Sequence, residues 1–154
     1  WDAIIAVNLS SAFHTMKAVV PGMRERGWGR IVNIASVHGL VASVNKTAYL
    51  AAKHGLVGLS KGVALETATD GITVNCICPG WTDTPIIAPQ IEARAQALGG
   101  NRDAAIRDLL REKQPNQTLL PPGRIGDVAV FLCSDAAAGI TGVSLPVDGG
   151  WTAQ

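Results

Sequence analysis

The chain has 154 residues, 47% of them hydrophobic, and its 13 basic and 12 acidic residues leave a net charge of +1. That length suits one domain with an ordinary core, and the scattered charges form neither a nucleic-acid patch nor a membrane-surface helix, so neither partner is expected. No apolar run reaches the roughly 18 residues of a membrane span, and no charged and apolar leader opens the chain, so a soluble, cytoplasmic protein is expected.

Ile5, Leu9, Phe13, Met16, Val20 and Met23 recur every three to four residues, which predicts a helix over 3–24 with one apolar face. Pro21 should bend its last turn, and Gly27-Trp28-Gly29 breaks it. The short, β-branched run from Arg30 to Ser36 predicts a strand over 30–36. A second helix fits 46–69, where Ala48, Ala51, Ala52, Gly55, Gly58 and Gly62 leave one face nearly without side chains. A glycine inside a helix costs about 1 kcal/mol relative to alanine, so that face points to close backbone approach. A helix lying on the sheet and a helix pair in a homo-oligomer both satisfy it.

Ile72 to Cys78 predicts the next strand, ended by Pro79-Gly80. Cys76 and Cys78 share one face of it and are too close in sequence for an easy disulfide. With Cys133 they are the three cysteines. A C-x-C pair can bind metal, but no second pair or His cluster accompanies it. Buried thiols in a reducing compartment are therefore expected, and no metal. Residues 83–118 are polar and alanine-rich, with Gly99-Gly100 and several prolines, and read as two short helices on flexible connections, a candidate mobile lid. A helix over 125–134 and a strand over 143–147 precede Asp148-Gly149-Gly150.

Helix and strand alternate with crossover-length spacing, so the fold class expected is α/β, a doubly wound parallel sheet of Rossmann type forming one domain over 1–154. Only three strands are legible, and no strand is followed by a G-x-G-x-x-G turn. The glycine-rich cofactor part is therefore expected upstream of Trp1, and this chain is expected to be the C-terminal, catalytic part.

Ser36, Tyr49 and Lys53 carry the chemistry. Tyr49 and Lys53 are four residues apart and share a helix face, while Ser36 ends a strand at the carboxyl edge where such sheets bind ligands. Hydride removal from an alcohol requires its hydroxyl proton to leave at nearly the same time. A tyrosine is a poor base at neutral pH. A lysine one turn away favours the phenolate and should lower its pKa, and a serine hydroxyl can hold the substrate oxygen as its charge changes.

Asn33-Ile34-Ala35-Ser36, Tyr49-Leu50-Ala51-Ala52-Lys53, Asn75-Cys76-Ile77-Cys78-Pro79-Gly80 and Val147-Asp148-Gly149-Gly150 together resemble the classical short-chain dehydrogenase/reductase family, over the whole chain. The resemblance implies a nicotinamide cofactor and four catalytic residues. Asn8 would be the fourth, positioning a water in a proton relay to Lys53. It also implies cofactor contacts from Tyr49 and Lys53, the latter to the nicotinamide ribose, and from Pro79, Gly80, Trp81, Thr82 and Thr84 around the nicotinamide. NAD is the cofactor implied, with NADP left open because the selecting residue lies in the upstream part. A homotetramer is the family's implied assembly.

Within that family, Ala35 to Ser43, Asn45 to Tyr49, Ala51 to Gly55, Cys78 to Trp81, Glu112 to Pro115 and Gly150 to Ala153 resemble the enzymes that interconvert (R)-3-hydroxybutyrate and acetoacetate. His38 and Lys46 then border the active-site mouth beside Ser36 and Tyr49, as a clamp for the carboxylate of a small 3-hydroxy or 3-keto acid. Gln90 would close over that carboxylate from the lid, and Trp81 would wall the methyl end. His14 and His54 are expected to be structural. The alternatives are a 3-oxoacyl thioester reductase, which would need an open channel, and an inactive remnant.

Overall fold

The computed structural model describes residues 1–153. The first helix runs Asp2–Arg26 and is not uniform. An opening turn, α1 (Asp2–Ile5), joins the main helix α2 (Ser11–Arg26) through a π-helical turn at Ala6–Ser10. Gly27, left-handed at φ 62°, closes α2 by donating its N–H to the last-turn carbonyls. Contrary to the sequence expectation, this one helix is long and apolar enough to cross a membrane, with a mean hydropathy of 1.4 over its best window. Met16, Val20 and Met23 instead lie on the sheet core.

Three parallel strands follow: β1 (Gly29–Ile34), β2 (Ile72–Pro79) and β3 (Ser144–Val147), in spatial order β1-β2-β3. Gly29 pairs with Ile72 and Ile34 with Ile77, while Cys76 pairs with Ser144 and Pro79 with Val147. Strand β2 is central and buried on both faces, as a parallel strand under crossover helices should be. Ile72, Val74, Cys76 and Cys78 share the face that packs on α2 and on α3 (Thr47–Glu66). Asn75, on the other face, donates to Ile140 O at 2.8 Å and accepts from Val143 N, so one amide fixes the entry to β3. Burial pushes the Cys76 thiol up and the Cys78 thiol up to about 11, so both stay protonated and inert.

The alanine–glycine face of α3 is tight at one glycine. A β-carbon on Gly55 would lie 2.9 Å from Leu9 Cδ2, whereas nothing lies within 4 Å of one on Gly58 or Gly62. The space at Gly55 is taken by the Leu9 side chain of the π-helical turn rather than by another backbone, and the other two glycines face open space.

Residues 83–118 hold two helices, α4 (Ala88–Ala97) and α5 (Arg102–Lys113), after a single turn at Pro85–Ile87. They form a hairpin with its own core of Ile87, Ile91, Ala95, Ala105 and Leu109. Arg94 on α4 bonds Asp108 and Glu112 on α5 across its surface. The next helix, α6 (Pro122–Cys133), starts three residues before its expected boundary, because proline lacks only an N–H that a first helical turn leaves unused.

At Gly71, between α3 and β2, φ is 70° and a β-carbon would collide with the carbonyl oxygen of Gly27. Gly71→Ala should lower stability by about 2 kcal/mol or more, since a side chain in left-handed backbone costs about 1–2 kcal/mol before any clash. The measurement is the urea midpoint at unchanged slope; a midpoint equal to wild type would contradict this packing.

Candidate active site

Beyond β1 the chain stays extended for two residues, with Ala35 N donating to Ile77 O at 2.8 Å. Ser36 then caps a single turn at Val37–Gly39, its Oγ accepting the His38 N–H at 3.1 Å. The same Oγ lies 3.3 Å from His38 Nδ1. The turn sits directly on α3, because a β-carbon at Gly39 would lie 2.9 Å from Lys53 O and 3.0 Å from Val57 Cγ2. That contact brings Tyr49 and Lys53 up to Ser36. Lys53 Nζ donates to Ile34 O at 3.0 Å and lies 5.6 Å from the Tyr49 ring centre.

Burial governs the charges here. Lys53 is 8% exposed, and burial lowers its pKa, with the nearby Cys76 and Cys78 opposing the shift. Burial also raises the Tyr49 phenol, and the Ser36 hydroxyl pulls it only partly back. The expected lowering of Tyr49 by Lys53 is not found: the ammonium is directed to the Ile34 carbonyl, and desolvation of the phenolate outweighs it. His38 is 4% exposed, and its pKa is lowered to about 4 by burial first and then by Lys46, His54 and Lys113. The imidazole is therefore neutral near pH 7. His14 lies edge-on against the neighbouring Phe13, and His54 Nδ1 lies 3.0 Å from Leu50 O within its own helix.

A cavity of about 560 Å³ opens beside the trio. Ser36, His38, Lys46 and Tyr49 line it from β1 and α3, and Pro79, Gly80, Trp81, Thr82 and Thr84 from the exit of β2. Gln90 reaches it from α4. Two expected residues are not among its lining, Asn8 and Lys53. Asn8 lies on the π-helical turn and donates its amide to Ile4 O at 3.0 Å, and no hydrogen bond joins it to Lys53. Gly80 is tightly enclosed: a β-carbon would meet Gln114 Oε1 at 2.6 Å and Asp148 Cα at 2.9 Å.

The sequence reading missed Trp151. It lines the cavity with its ring 5.6 Å from those of His38 and Trp81. Asp148 places it, accepting from Gly150 N, Thr152 N and Thr152 Oγ1 at 3.0, 2.8 and 2.7 Å. An aromatic directly after the Val147 to Gly150 motif was the available signal. Trp81 is more than an apolar wall, since Lys46 Nζ lies 5.2 Å from its ring centre. Among the described residues, no three His, Cys, Asp or Glu side chains gather as metal donors would.

A family model described as enoyl-(acyl carrier protein) reductase matches residues 1–152. The D-beta-hydroxybutyrate dehydrogenase of Cupriavidus necator is 55% identical over the whole chain, and that of Rhizobium meliloti 51%. The chain spans 60% of the length of each. The crystal structure of L-sorbose reductase from Gluconobacter frateurii, complexed with NADPH and L-sorbose, superposes with a TM-score of 0.91 at 30% identity. That match covers 98% of this chain and 57% of the reductase.

The buried imidazole makes stability depend on pH. His38 takes up its proton near pH 4 when folded and near 6.5 when unfolded, so between those values the unfolded state binds more protons. Stability should be full above about pH 6.5 and fall as pH drops toward 4, by up to about 1.4 kcal/mol per pH unit for one proton. Urea midpoints between pH 4.5 and 7 should flatten in His38→Gln, and an unchanged slope would remove His38 as the source.

Proposed function

The chain belongs to the short-chain dehydrogenase/reductase family, and on that premise we propose that it is the catalytic part of an enzyme interconverting (R)-3-hydroxybutyrate and acetoacetate. The observation that carries this reading is the cavity itself: it sets the Ser36 and Tyr49 hydroxyls beside Lys46 and a neutral His38. Lys46 has no carboxylate within salt-bridge distance among the described residues, so an anionic ligand has an unshared cation to meet. An acyl thioester carries no such charge near its keto group, which disfavours that alternative.

A nicotinamide dinucleotide, NAD or NADP, is the proposed cofactor. Buried Lys53 supports it, because the ammonium has three donors and one backbone acceptor, leaving N–H groups for the hydroxyls of a ribose. Pro79, Gly80, Trp81, Thr82 and Thr84 offer the wall for the nicotinamide. When bound, the nicotinamide supplies or accepts the hydride.

The chain's own residues handle the proton. Tyr49, raised by burial, rests as the neutral phenol, the form that donates its proton to the keto oxygen during reduction. In the oxidative direction it must accept the hydroxyl proton as the phenolate, the form that the hydrogen bond from the Ser36 hydroxyl favours. Ser36 holds the substrate oxygen through both directions. Lys46 and His38 take the carboxylate, while Trp81 and Trp151 wall the remainder and Gln90 closes from α4, with 83–118 acting as a lid. The proposal retains Asn8 as a relay to Lys53, assembly as a homotetramer in which the open Gly58 and Gly62 face of α3 pairs, and a cytoplasmic location, consistent with three free thiols.

Two sets of variants test this in the intact enzyme. Tyr49→Phe should abolish turnover while cofactor binding persists, Lys53→Ala should lose both, and Ser36→Ala should cost about 2.7–4 kcal/mol of barrier, as for one oxyanion donor. More than about a tenth of wild-type turnover in Tyr49→Phe would remove it as the proton donor. Lys46→Ala should raise KM for acetoacetate far more than for methyl acetoacetate, because only the acid has a charge to lose. Equal effects on both substrates would sink the carboxylate assignment.

A further inference from the structure

Gln114 directly follows α5 and is 0% exposed. Its Oε1 accepts the main-chain N–H of Trp81 at 2.8 Å, and its Nε2 donates to the Thr118 carbonyl. The segment it begins then runs alongside Trp81. Leu120 N donates to Trp81 O at 2.9 Å, Asp83 N donates to Leu120 O at 2.9 Å, and Thr82 and Leu120 form a parallel bridge. The main chain at Trp81 is thus gripped on its N–H and on its carbonyl by the return stem of the α4–α5 hairpin. Gly80 lacks a β-carbon where one would enter the Gln114 amide.

The other end of Trp81 reaches the cavity. Its indole face lies 5.2 Å from Lys46 Nζ. Lys46 enters from a main chain already constrained, since the preceding Asn45 is left-handed at φ 61°. A lysine on its four-carbon stem samples many rotamers, and the π face of an indole selects those that put the ammonium over it.

We propose that Gln114 is a positioning residue for anion recognition: by fixing the main chain of Trp81 it fixes the indole face that holds the Lys46 ammonium in the cavity. The inference rests on Lys46 being the carboxylate ligand. Glutamine is the side chain the position demands, because it must accept from Trp81 N–H and donate to Thr118 O at once. A glutamate would set a second acceptor against that carbonyl, and an apolar side chain would leave both main-chain groups buried without partners.

Gln114→Met keeps length and volume while removing both bonds. The intact enzyme would be assayed with acetoacetate and with methyl acetoacetate, each in the wild-type and the Lys46→Ala background. Gln114→Met should raise KM for the acid about tenfold, the size expected from losing one cation–π contact. A looser Trp81 wall acts on acid and ester alike, so it is the acid KM relative to the ester KM that should rise by this factor, and in Lys46→Ala the second substitution should leave that ratio unchanged. An equal rise for acid and ester, or an excess for the acid over the ester that persists in Lys46→Ala, overturns the positioning role. If Lys46→Ala itself does not separate acid from ester, the carboxylate reading falls and this inference with it. A normal Lys46 effect with no response to Gln114→Met removes the positioning role alone. Should Gln114→Met not fold, Trp81→Leu removes the π face and leaves the grip intact; the excess of its effect on the acid KM over the ester KM must vanish in Lys46→Ala, and persistence of that excess overturns the inference.

Discussion

Gly39 rests on the carbonyl of Lys53 with no space for a β-carbon between them, and that contact sets the distance between β1 and the first two turns of α3. Ser36 is carried by one side of it, Tyr49 and Lys53 by the other. A larger residue at position 39 would separate the serine from the tyrosine it must work with, because both backbones are held: Ala35 by Ile77 of the sheet, and α3 by Leu56 and Val57 in the same cluster as Cys76 and Cys78. The approach of Ser36 to Tyr49 is therefore a consequence of helix-on-sheet packing.

Desolvation then decides what each group is. Burial holds the Tyr49 phenol and the His38 imidazole in their neutral forms and lowers Lys53, whose side chain donates to the Ile34 carbonyl. All four groups are shifted toward their neutral forms by burial, Lys46 being lowered as well. His38 shows the cost: its Nε2 is buried with no hydrogen-bond partner, in a wall shared with Tyr49 and Trp151.

The cavity is also a meeting of distant segments. Gly80 touches both Gln114 and Asp148, and Asn116 N donates to Gly149 O at 3.0 Å, so the β2 exit, the hairpin stem and the C-terminal turn form one joint. Through it the hairpin, the wall residue Trp81 and the wall residue Trp151 share a foundation. The hairpin has its own core and its own ion pairs, which lets it act as a unit on that joint.

The sequence by itself determined the alternation of helices and strands, the parallel sheet, and the grouping of Ser36, Tyr49 and Lys53, because hydrophobic period and helical spacing are local properties. It placed His38, Lys46, Trp81 and Gln90 around the same site through resemblance, and the structure gathers all four on one cavity. Tertiary structure alone decided the rest. The direction of the Tyr49 shift depends on how much protein covers the phenol, a quantity with no signature in a Y-x-x-x-K spacing. The reason for Gly80 lies thirty-four residues away in Gln114 and further still in Asp148, and the place of Trp151 follows from an aspartate that folds the chain back on itself. Such contacts join residues remote in sequence, so no local pattern can carry them; only the folded backbone brings them within reach.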